Sequence, residues 1–243
     1  MAERTAGIIV IGNEILSGKV TDENSPYLAS ELRRLGVALR RIVTIPDEVD
    51  LIAEETRVFH AAFDFVFTSG GVGPTHDDVT IEGIARGLGR KVIRHPEMEE
   101  NIRRFLKDNV NAAHLKMAEV PEGAVLVHDA ELGFPTILVE NMYILPGIPE
   151  ILRKKFEGLR ARFATEPFHL RVIYTRWSES MIAESLNQTM VEFPELMLGS
   201  YPKIDNPEYR VKLTIESKDG DYVRRAFDRL LGLLPAEAVV RTE

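Results

Sequence analysis

At 243 residues, the chain can form one large domain, or one medium and one small domain. A net charge of −8 argues against general nucleic-acid binding, and the absence of cysteine excludes disulfides and thiolate metal sites. No signal peptide and no segment of transmembrane length is recognisable, so we expect a cytoplasmic protein that is not attached to a membrane.

The chain opens with a short buried strand at residues 7–11, followed by a polar loop at residues 12–18. A helix is expected to start next, with Ser25 as its N-cap. Glu14 and Asn24 stand in these connections, where either side chain could contact a ligand. The alternative is a plain loop carboxylate and a side chain that holds the backbone, and the residues alone leave both open.

A second strand is expected over residues 37–45, and a helix follows over residues 49–63. Asp47 lies between them. By itself, an acid at this position is typical of a residue that stabilises a helix N-terminus.

The most informative stretch is residues 63–80. An apolar run there predicts a buried strand that leads into Ser69 and a turn with Gly70, Gly71 and Gly73. A helix resumes near Thr80, with Thr80 or Asp78 as its expected cap. Glycines permit positive φ and leave no Cβ in the way, while amides at a helix start favour an anion. We therefore expect a Cβ added at Gly71 to block a phosphate before it harms the fold.

Two carboxylates, Asp77 and Asp78, stand in the same turn. They would repel a phosphate unless a divalent cation lies between them or one of them transfers a proton. The alternative is a tight strand-to-helix connection with a solvated aspartate pair.

Further strands are expected at residues 125–127 and 136–145, with residues 133–135 in the turn between them. The second strand ends in a Pro-Gly loop at residues 146–147 that leads into a helix. Strands alternating with helices through about residue 160 predict a mostly parallel sheet with helices on both faces. Because ligands bind beyond the carboxyl ends of such strands, the loops near Glu14, Asp47, Gly71 and Gly147 should converge on one edge.

Residues 166–243 form a second predicted unit, separated by a boundary at Thr165. Their pattern indicates strand, helix, two strands and helix, with a last short strand at Val239. This predicts a small α+β domain.

The string GGVGPTHDDVT at residues 70–80 resembles the motif GGxGPTxDDxT of the molybdopterin-binding domain family, which includes MogA, MoaB and CinA. It is especially similar to the N-terminal domain of eukaryotic FAD synthase. The loops GNEILSG, DEN and LPGIPE resemble further motifs of that family. Two departures are Glu23 in place of the usual threonine, and ELGFP at residues 131–135 where CinA proteins carry GTAPG.

This resemblance implies an α/β molybdopterin-binding fold over residues 1–165 and a small domain over residues 166–243. It implies a metal-dependent pyrophosphatase of ADP-containing dinucleotides, either FAD or ADP-ribose, with Asp78 and Asp47 as catalytic residues. Asp78 and Asp77 are the implied ligands of a divalent cation such as Mg²⁺, and K⁺ is a second candidate cation. The residues implied to bind the ligand are Gly12, Glu14, Asn24, Thr68, Ser69, Gly70, Gly71, Gly73, Pro74, Thr80, Pro146 and Gly147.

The alternative is a molybdopterin- or nucleotide-binding module without hydrolase activity, and a third possibility is an interaction protein that only keeps the fold. In each case the expected partner is a small nucleotide or pterin, and the expected assembly is a homodimer or homotrimer. The amidohydrolase domain of CinA proteins and the synthetase domain of FAD synthases are not recognisable, so neither of those activities is expected.

Overall fold

The computed structural model describes residues 3–129 and 132–243. The chain divides between Thr165 and Glu166 into two compact units. Within the described ranges, no helix has both the length and the apolar character needed to cross a membrane.

The first unit alternates strands and helices. In chain order its elements are β1 (Thr5–Ile11), α1 (Asn13–Leu16), α2 (Asn24–Arg34), β2 (Ala38–Ile45), α3 (Val49–Ala62), β3 (Phe65–Ser69), α4 (Thr80–Gly87), β4 (Val92–Arg94), α5 (Pro96–Leu106), α6 (Ala112–Lys116), β5 (Glu119–Pro121), β6 (Val125–Asp129), β7 (Leu132–Val139), β8 (Met142–Leu145) and α7 (Pro149–Leu159).

The main sheet has the strand order β2-β1-β3-β8-β7-β6. Strand β1 runs parallel to β2 and to β3, and β3 runs parallel to β8. The pairs β7–β8 and β6–β7 are antiparallel. The predicted fold class, a mostly parallel sheet with helices, is confirmed.

Strand β1 shows why the sheet lies between two helical layers. Ile8 and Val10 pack in one core cluster with residues of α2 and α7, whereas Ile9 and Ile11 pack in another with residues of α3 and α4. Successive side chains of a strand point to opposite faces, so burial of both sets requires a helical layer on each side.

The region after β5 corrects one expectation. The single strand predicted over residues 136–145 is two strands, β7 and β8, joined by a turn at Glu140 and Asn141. Residues 133–135 lie in β7 rather than in a turn. The β6–β7 register shifts beside Pro135, and a proline without an amide proton is tolerated at such an irregularity. Glu131, part of the segment that departs from the CinA pattern, lies outside the described residues.

A small antiparallel pair, β4 with β5, stands apart from the main sheet. Strand β5 and the short helix α6 before it fall in a polar stretch of the sequence without a clear periodic pattern. The pairing of β4 with β5 brings the chain back from α5 to α4, which β5 contacts.

The second unit has an antiparallel sheet with helices packed on it. Its elements are β9 (His169–Thr175), α8 (Glu179–Glu192), β10 (Met197–Pro202), β11 (Val211–Ser217), α9 (Gly220–Leu233) and β12 (Val239–Thr242), with the strand order β10-β11-β9-β12. Ile173, Leu213 and Ile215 of the sheet pack with Phe227 and Leu230 of α9 in its core. The order of elements is the one expected from the sequence.

Candidate functional site

The loops that follow the parallel strands lie side by side at one edge of the main sheet. The amide of Gly12, directly after β1, donates to the carbonyl of Ile45 at the end of β2 over 3.1 Å. The amide of Gly70, directly after β3, donates to the carbonyl of Leu145 at the end of β8 over 3.3 Å. The four carboxyl ends therefore form a continuous row, where ligands bind in open parallel sheets.

Asn24 holds two of these loops together. Its side-chain nitrogen donates to Ser69 Oγ and to the carbonyl of Gly147, each over 2.8 Å. The residue is only 5% exposed, and its Oδ1 accepts no hydrogen bond from the described residues. The side chain therefore holds the backbone, and Oδ1 is the atom left to interact with a ligand.

The start of α2 departs from the expected capping. The helix begins at Asn24, and Asp22 Oδ1 accepts from the amides of Asn24 and Ser25 over 2.9 and 3.0 Å. Ser25 is buried inside the first turn. The prediction of Ser25 as the N-cap is wrong because Asp22, two residues before the helix, already accepts the free amides.

Gly70 and Gly71 are required by the turn itself. Their φ angles are +105° and +63°. A Cβ on Gly70 would lie 2.1 Å from the carbonyl oxygen of Ile11, and one on Gly71 would lie 2.3 Å from Thr80 Oγ1. Because both contacts are internal, a side chain at either position strains the fold whether or not a ligand is bound. The expectation that a Cβ at Gly71 would block a ligand before harming the fold is therefore wrong.

Helix α4 begins without a side-chain cap. The Thr80 hydroxyl donates to the carbonyl of Gly70 over 2.9 Å, and the Thr80 amide donates to the carbonyl of Gly71 over 3.1 Å. Asp78 Oδ2 accepts from the amide of Thr75 over 2.8 Å. The prediction that Thr80 or Asp78 caps α4 is wrong, because both side chains bind back into the preceding loop.

The middle of the loop has free hydrogen-bond donors. The amides of Gly71, Val72 and Gly73 donate to no acceptor within the described ranges. Gly73 does not have a positive φ, and a Cβ there would lie 2.7 Å from Asp78 Oδ2. Consecutive unpaired amides form a concavity suited to an anion.

The two carboxylates of the loop are anchored differently. Asp77 is 60% exposed at its side chain, and hydrogen bonding from Thr75 keeps the pKa of Asp77 below its ordinary value. The single proton of the Thr75 hydroxyl is shared with Asp78 Oδ2. Asp77 is therefore ionised at neutral pH and accessible, whereas the half-buried Asp78 is fixed to its own loop.

Asp47 contacts the loop that follows β1. Its Oδ2 accepts from the amide of Asn13 over 2.8 Å, which joins the loop after β2 to the loop after β1. Glu14 folds over the same loop, since a Cβ on Gly12 would lie 2.5 Å from Glu14 Oε1.

Two cavities flank the glycine loop. The loop cavity, of about 440 Å³, is lined by Gly71, Gly73, His76, Asp78, Lys116 and Glu119, among others. The sheet-edge cavity, of about 90 Å³, is lined by Glu14, Asn24, Ser69, Gly70 and Gly147, among others.

The remaining predicted residues line neither cavity; they are Gly12, Asp47, Thr68, Pro74, Asp77, Thr80 and Pro146. Thr68 is fully buried within β3, directly before the glycine loop. The structure thus brings most of the predicted residues to one edge of the sheet, but it does not bring Asp47 and Asp78 to one cavity.

Lys116 is the residue of the loop cavity that sequence reasoning missed. It lies at the end of α6, and its Nζ donates to the carbonyl of Thr75 in the glycine loop. Lys116 reaches the loop because β4 pairs with β5, which brings α6 back to the loop. No periodicity in the sequence marks that pairing, so no signal in the sequence indicates Lys116.

A mostly parallel sheet between helical layers, with free amides and two cavities at the edge where its strands end, is the arrangement of α/β proteins that can hold a small ligand. The sequence profile described as "Probable molybdopterin binding domain" matches residues 7–164, and the one described as "FAD synthase, middle domain" matches residues 167–243. The chain belongs to the molybdopterin-binding domain family.

Relatives fall into two groups by length. A protein of Archaeoglobus fulgidus is 39% identical over 227 residues, which cover 93% of this chain and 96% of that protein. A "Probable FAD synthase" of Caenorhabditis elegans is 30% identical over 264 residues, which cover 97% of this chain but 51% of that protein. The chain thus spans about half of the FAD synthase-like relative.

Among solved structures, CinA from Thermoplasma acidophilum is similar to this chain with a TM-score of 0.62 and 27% identity. The match covers 66% of this chain and 98% of the CinA chain. The relatives point to a function connected with nucleotides.

Proposed function

We propose that this protein hydrolyses the pyrophosphate bond of an ADP-containing dinucleotide, either FAD or ADP-ribose, with the help of a divalent cation. The observation that carries the proposal is the run of free amides at Gly71, Val72 and Gly73 beside the carboxylate of Asp78 in one cavity. Amides of this kind bind a phosphate, and the carboxylate gives the site a group that can act on it.

Lys116 helps to balance the charge. A pyrophosphate brought to the loop meets the negative charges of Asp77 and Asp78, and its binding needs compensation from cations. Lys116 lines the loop cavity and is anchored on Thr75, between the loop and α6. We assign it to the binding of the phosphate charge.

The two carboxylates of the glycine loop fit a hard divalent cation that is held in part by its substrate. Within the described ranges, no three His, Asp or Glu side chains come together as a metal-binding group. Mg²⁺ is commonly held by one or two carboxylates together with the phosphates of the substrate. We therefore assign Asp78, which lines the loop cavity, as the main protein ligand, with the exposed Asp77 beside it as the second carboxylate. When bound, such a cation polarises the phosphoryl group and lowers the pKa of the attacking water.

The remaining roles follow from the contacts. Asp78, fixed by Thr75, is positioned to hold the cation or to accept a proton from water within the loop cavity. We assign Asp47 to positioning, because its carboxylate holds the amide of Asn13. The free Oδ1 of Asn24 suits a hydroxyl group of a ribose at the sheet-edge cavity.

The test is product analysis with FAD and ADP-ribose in the presence of Mg²⁺, Mn²⁺ or Co²⁺, with EDTA as the metal-free control. We expect AMP together with FMN or ribose 5-phosphate, and no product with EDTA. Failure to cleave either dinucleotide with any of the three ions would contradict the proposal.

One observation favours a second function. Asp47 and Asp78 lie at different loops, and each carboxylate already accepts a hydrogen bond from its own surroundings. Such a site can bind a phosphate without cleaving it, as in a molybdopterin- or nucleotide-binding module. Tight binding of AMP or molybdopterin without any hydrolysis would establish that alternative.

A further inference from the structure

The second unit contains a cavity of about 440 Å³ between the start of α8 and the loop end of the β10–β11 hairpin, where residues 203–210 join the two strands. We call it the hairpin cavity. Its walls include Ser178, Glu179 and Ser180 from the start of α8, and Lys203, Ile204 and Arg210 from the hairpin.

Lys203 and Arg210 place two positive charges on the same side of the hairpin. The amide of Lys203 donates to the carbonyl of Arg210 over 2.7 Å, one step beyond the paired residues Pro202 and Val211. Residues directly opposite in an antiparallel pair project to the same face, and like charges there destabilise the hairpin. Both residues line the cavity. An anion bound between them would offset the repulsion between the two positive charges.

The lack of partners distinguishes these two cations from others in the same unit. Arg229 pairs with Glu192, and Arg241 pairs with Glu208. Within the described ranges, neither Lys203 nor Arg210 has an ion pair or a side-chain hydrogen bond.

The opposite wall supplies hydrogen-bond donors. Ser178 Oγ and Ser180 Oγ lie 3.0 Å apart, so one hydroxyl donates to the other and the second hydroxyl proton is left to donate into the cavity. Glu179 is the acidic group of the same wall, and its Oε1 accepts from the hydroxyl of Ser200 over 2.6 Å. The carboxylate is thus held, but its charge opposes an anion in the cavity.

We propose that the hairpin cavity binds the phosphate group of a small phosphorylated molecule. The phosphate lies between Lys203 and Arg210 and accepts from the serine hydroxyls, because several strong acceptor oxygens satisfy both cations at once. Ile204, 97% exposed on the same wall, offers apolar contact to the rest of the ligand. This site belongs to the second unit and does not depend on the proposed hydrolysis.

Trp177 gives a direct readout. It is the single tryptophan of the chain, it precedes Ser178, and its ring packs against the core of the second unit. The full-length protein is titrated with potassium phosphate, and with potassium chloride at matched ionic strength, while tryptophan fluorescence is followed. We expect a saturable change with phosphate and none with chloride.

Variants assign the signal to this cavity. Lys203→Ala and Arg210→Ala should each weaken phosphate binding tenfold or more, while Lys203→Arg, which keeps the charge, should bind within about threefold of wild type. Glu179→Gln should bind more tightly than wild type because it removes the opposing charge. Arg224→Ala, which removes a cation paired with Asp221 at another cavity, serves as the control and should change nothing.

Two results would overturn the proposal. One is the absence of a saturable, phosphate-specific change in the wild-type protein. The other is phosphate binding that Lys203→Ala and Arg210→Ala leave unaltered although circular dichroism shows both variants folded.

Discussion

In the glycine loop, residues 70–71 and residues 73–78 belong to the same sequence motif but have different surroundings. A Cβ added on Gly70 would meet Ile11, a Cβ added on Gly71 would meet Thr80, and both residues have the positive φ that suits glycine. The second part is more exposed, and a Cβ added on Gly73 would first meet the carboxylate of Asp78. The free amides of Gly71, Val72 and Gly73 run from the first part into the second. A motif glycine is therefore not in itself evidence for a ligand, and its contacts decide whether it serves the fold or the site.

The largest expected effect is on folding stability, from Gly70→Ala. Its Cβ would lie 2.1 Å from the backbone oxygen of Ile11 at a φ of +105°, so the backbone itself must move. We expect a loss of about 3 kcal/mol or more in the free energy of unfolding, measured with urea.

The matched control is Gly18→Ala. Gly18 has a φ of +71° and no atom within 4 Å of an added Cβ, so it isolates the cost of the conformation, about 1 kcal/mol. Equal losses in the two variants would show that the contact with Ile11 does not matter.

Gly73→Ala is expected to act on ligand binding. Its Cβ would lie 2.7 Å from Asp78 Oδ2, which must shift away from its Thr75 donors, but the contact is with the end of a side chain and the backbone need not move. We expect affinity for ADP-ribose in calorimetry to fall about tenfold, about 1.4 kcal/mol, with an unchanged melting temperature. A lower melting temperature with unchanged affinity would place Gly73 with the structural glycines.

Substitutions of Asp47 test whether its carboxylate holds the loop after β1 or takes part in the chemistry. Asp47→Ala removes the acceptor of the Asn13 amide, so we expect a loss of about 1 kcal/mol in unfolding free energy. Asp47→Asn keeps an acceptor oxygen and should be nearly as stable as wild type, with turnover lowered modestly. If Asp47→Asn is fully stable but inactive, its charge takes part in the chemistry and our assignment to positioning fails.

Assembly has the smallest expected effect on the loop. We expect a homodimer or homotrimer that leaves residues 73–78 accessible, so Gly73→Ala should not alter the mass from light scattering. A mass equal to that of one 27.4 kDa chain at micromolar concentration would contradict the expected oligomer.

The sequence was sufficient for the features that depend on local patterns. Apolar runs marked β1 and β3, and the spacing of glycine and proline marked the loops that end them. Because parallel strands share an edge, the convergence of these loops followed from the order of elements alone. The small second unit was equally predictable from its alternating elements.

The features that the sequence did not predict depend on contacts between distant segments. Lys116 reaches the carbonyl of Thr75 across 41 positions of sequence, through the β4–β5 pairing. Asp22 replaced Ser25 as the acceptor for α2 because the helix begins at Asn24, two residues earlier than an N-cap at Ser25 predicts. Similarly, the resemblance implied that Asp47 and Asp78 act together in catalysis, whereas the Asp47 carboxylate accepts from the amide of Asn13.

The central claim is that the carboxylate of Asp78 gives the loop cavity its hydrolytic activity. The direct measurement is Mg²⁺-dependent cleavage of FAD and ADP-ribose by wild type and Asp78→Asn, with Asp50→Asn, an exposed aspartate paired with Arg86, as the control. We predict that Asp78→Asn lowers turnover by about a hundredfold or more and weakens the cation together with it, while the fold and the Asp50→Asn activity are preserved. Asp78→Asn cleaving either dinucleotide as fast as wild type would contradict the account.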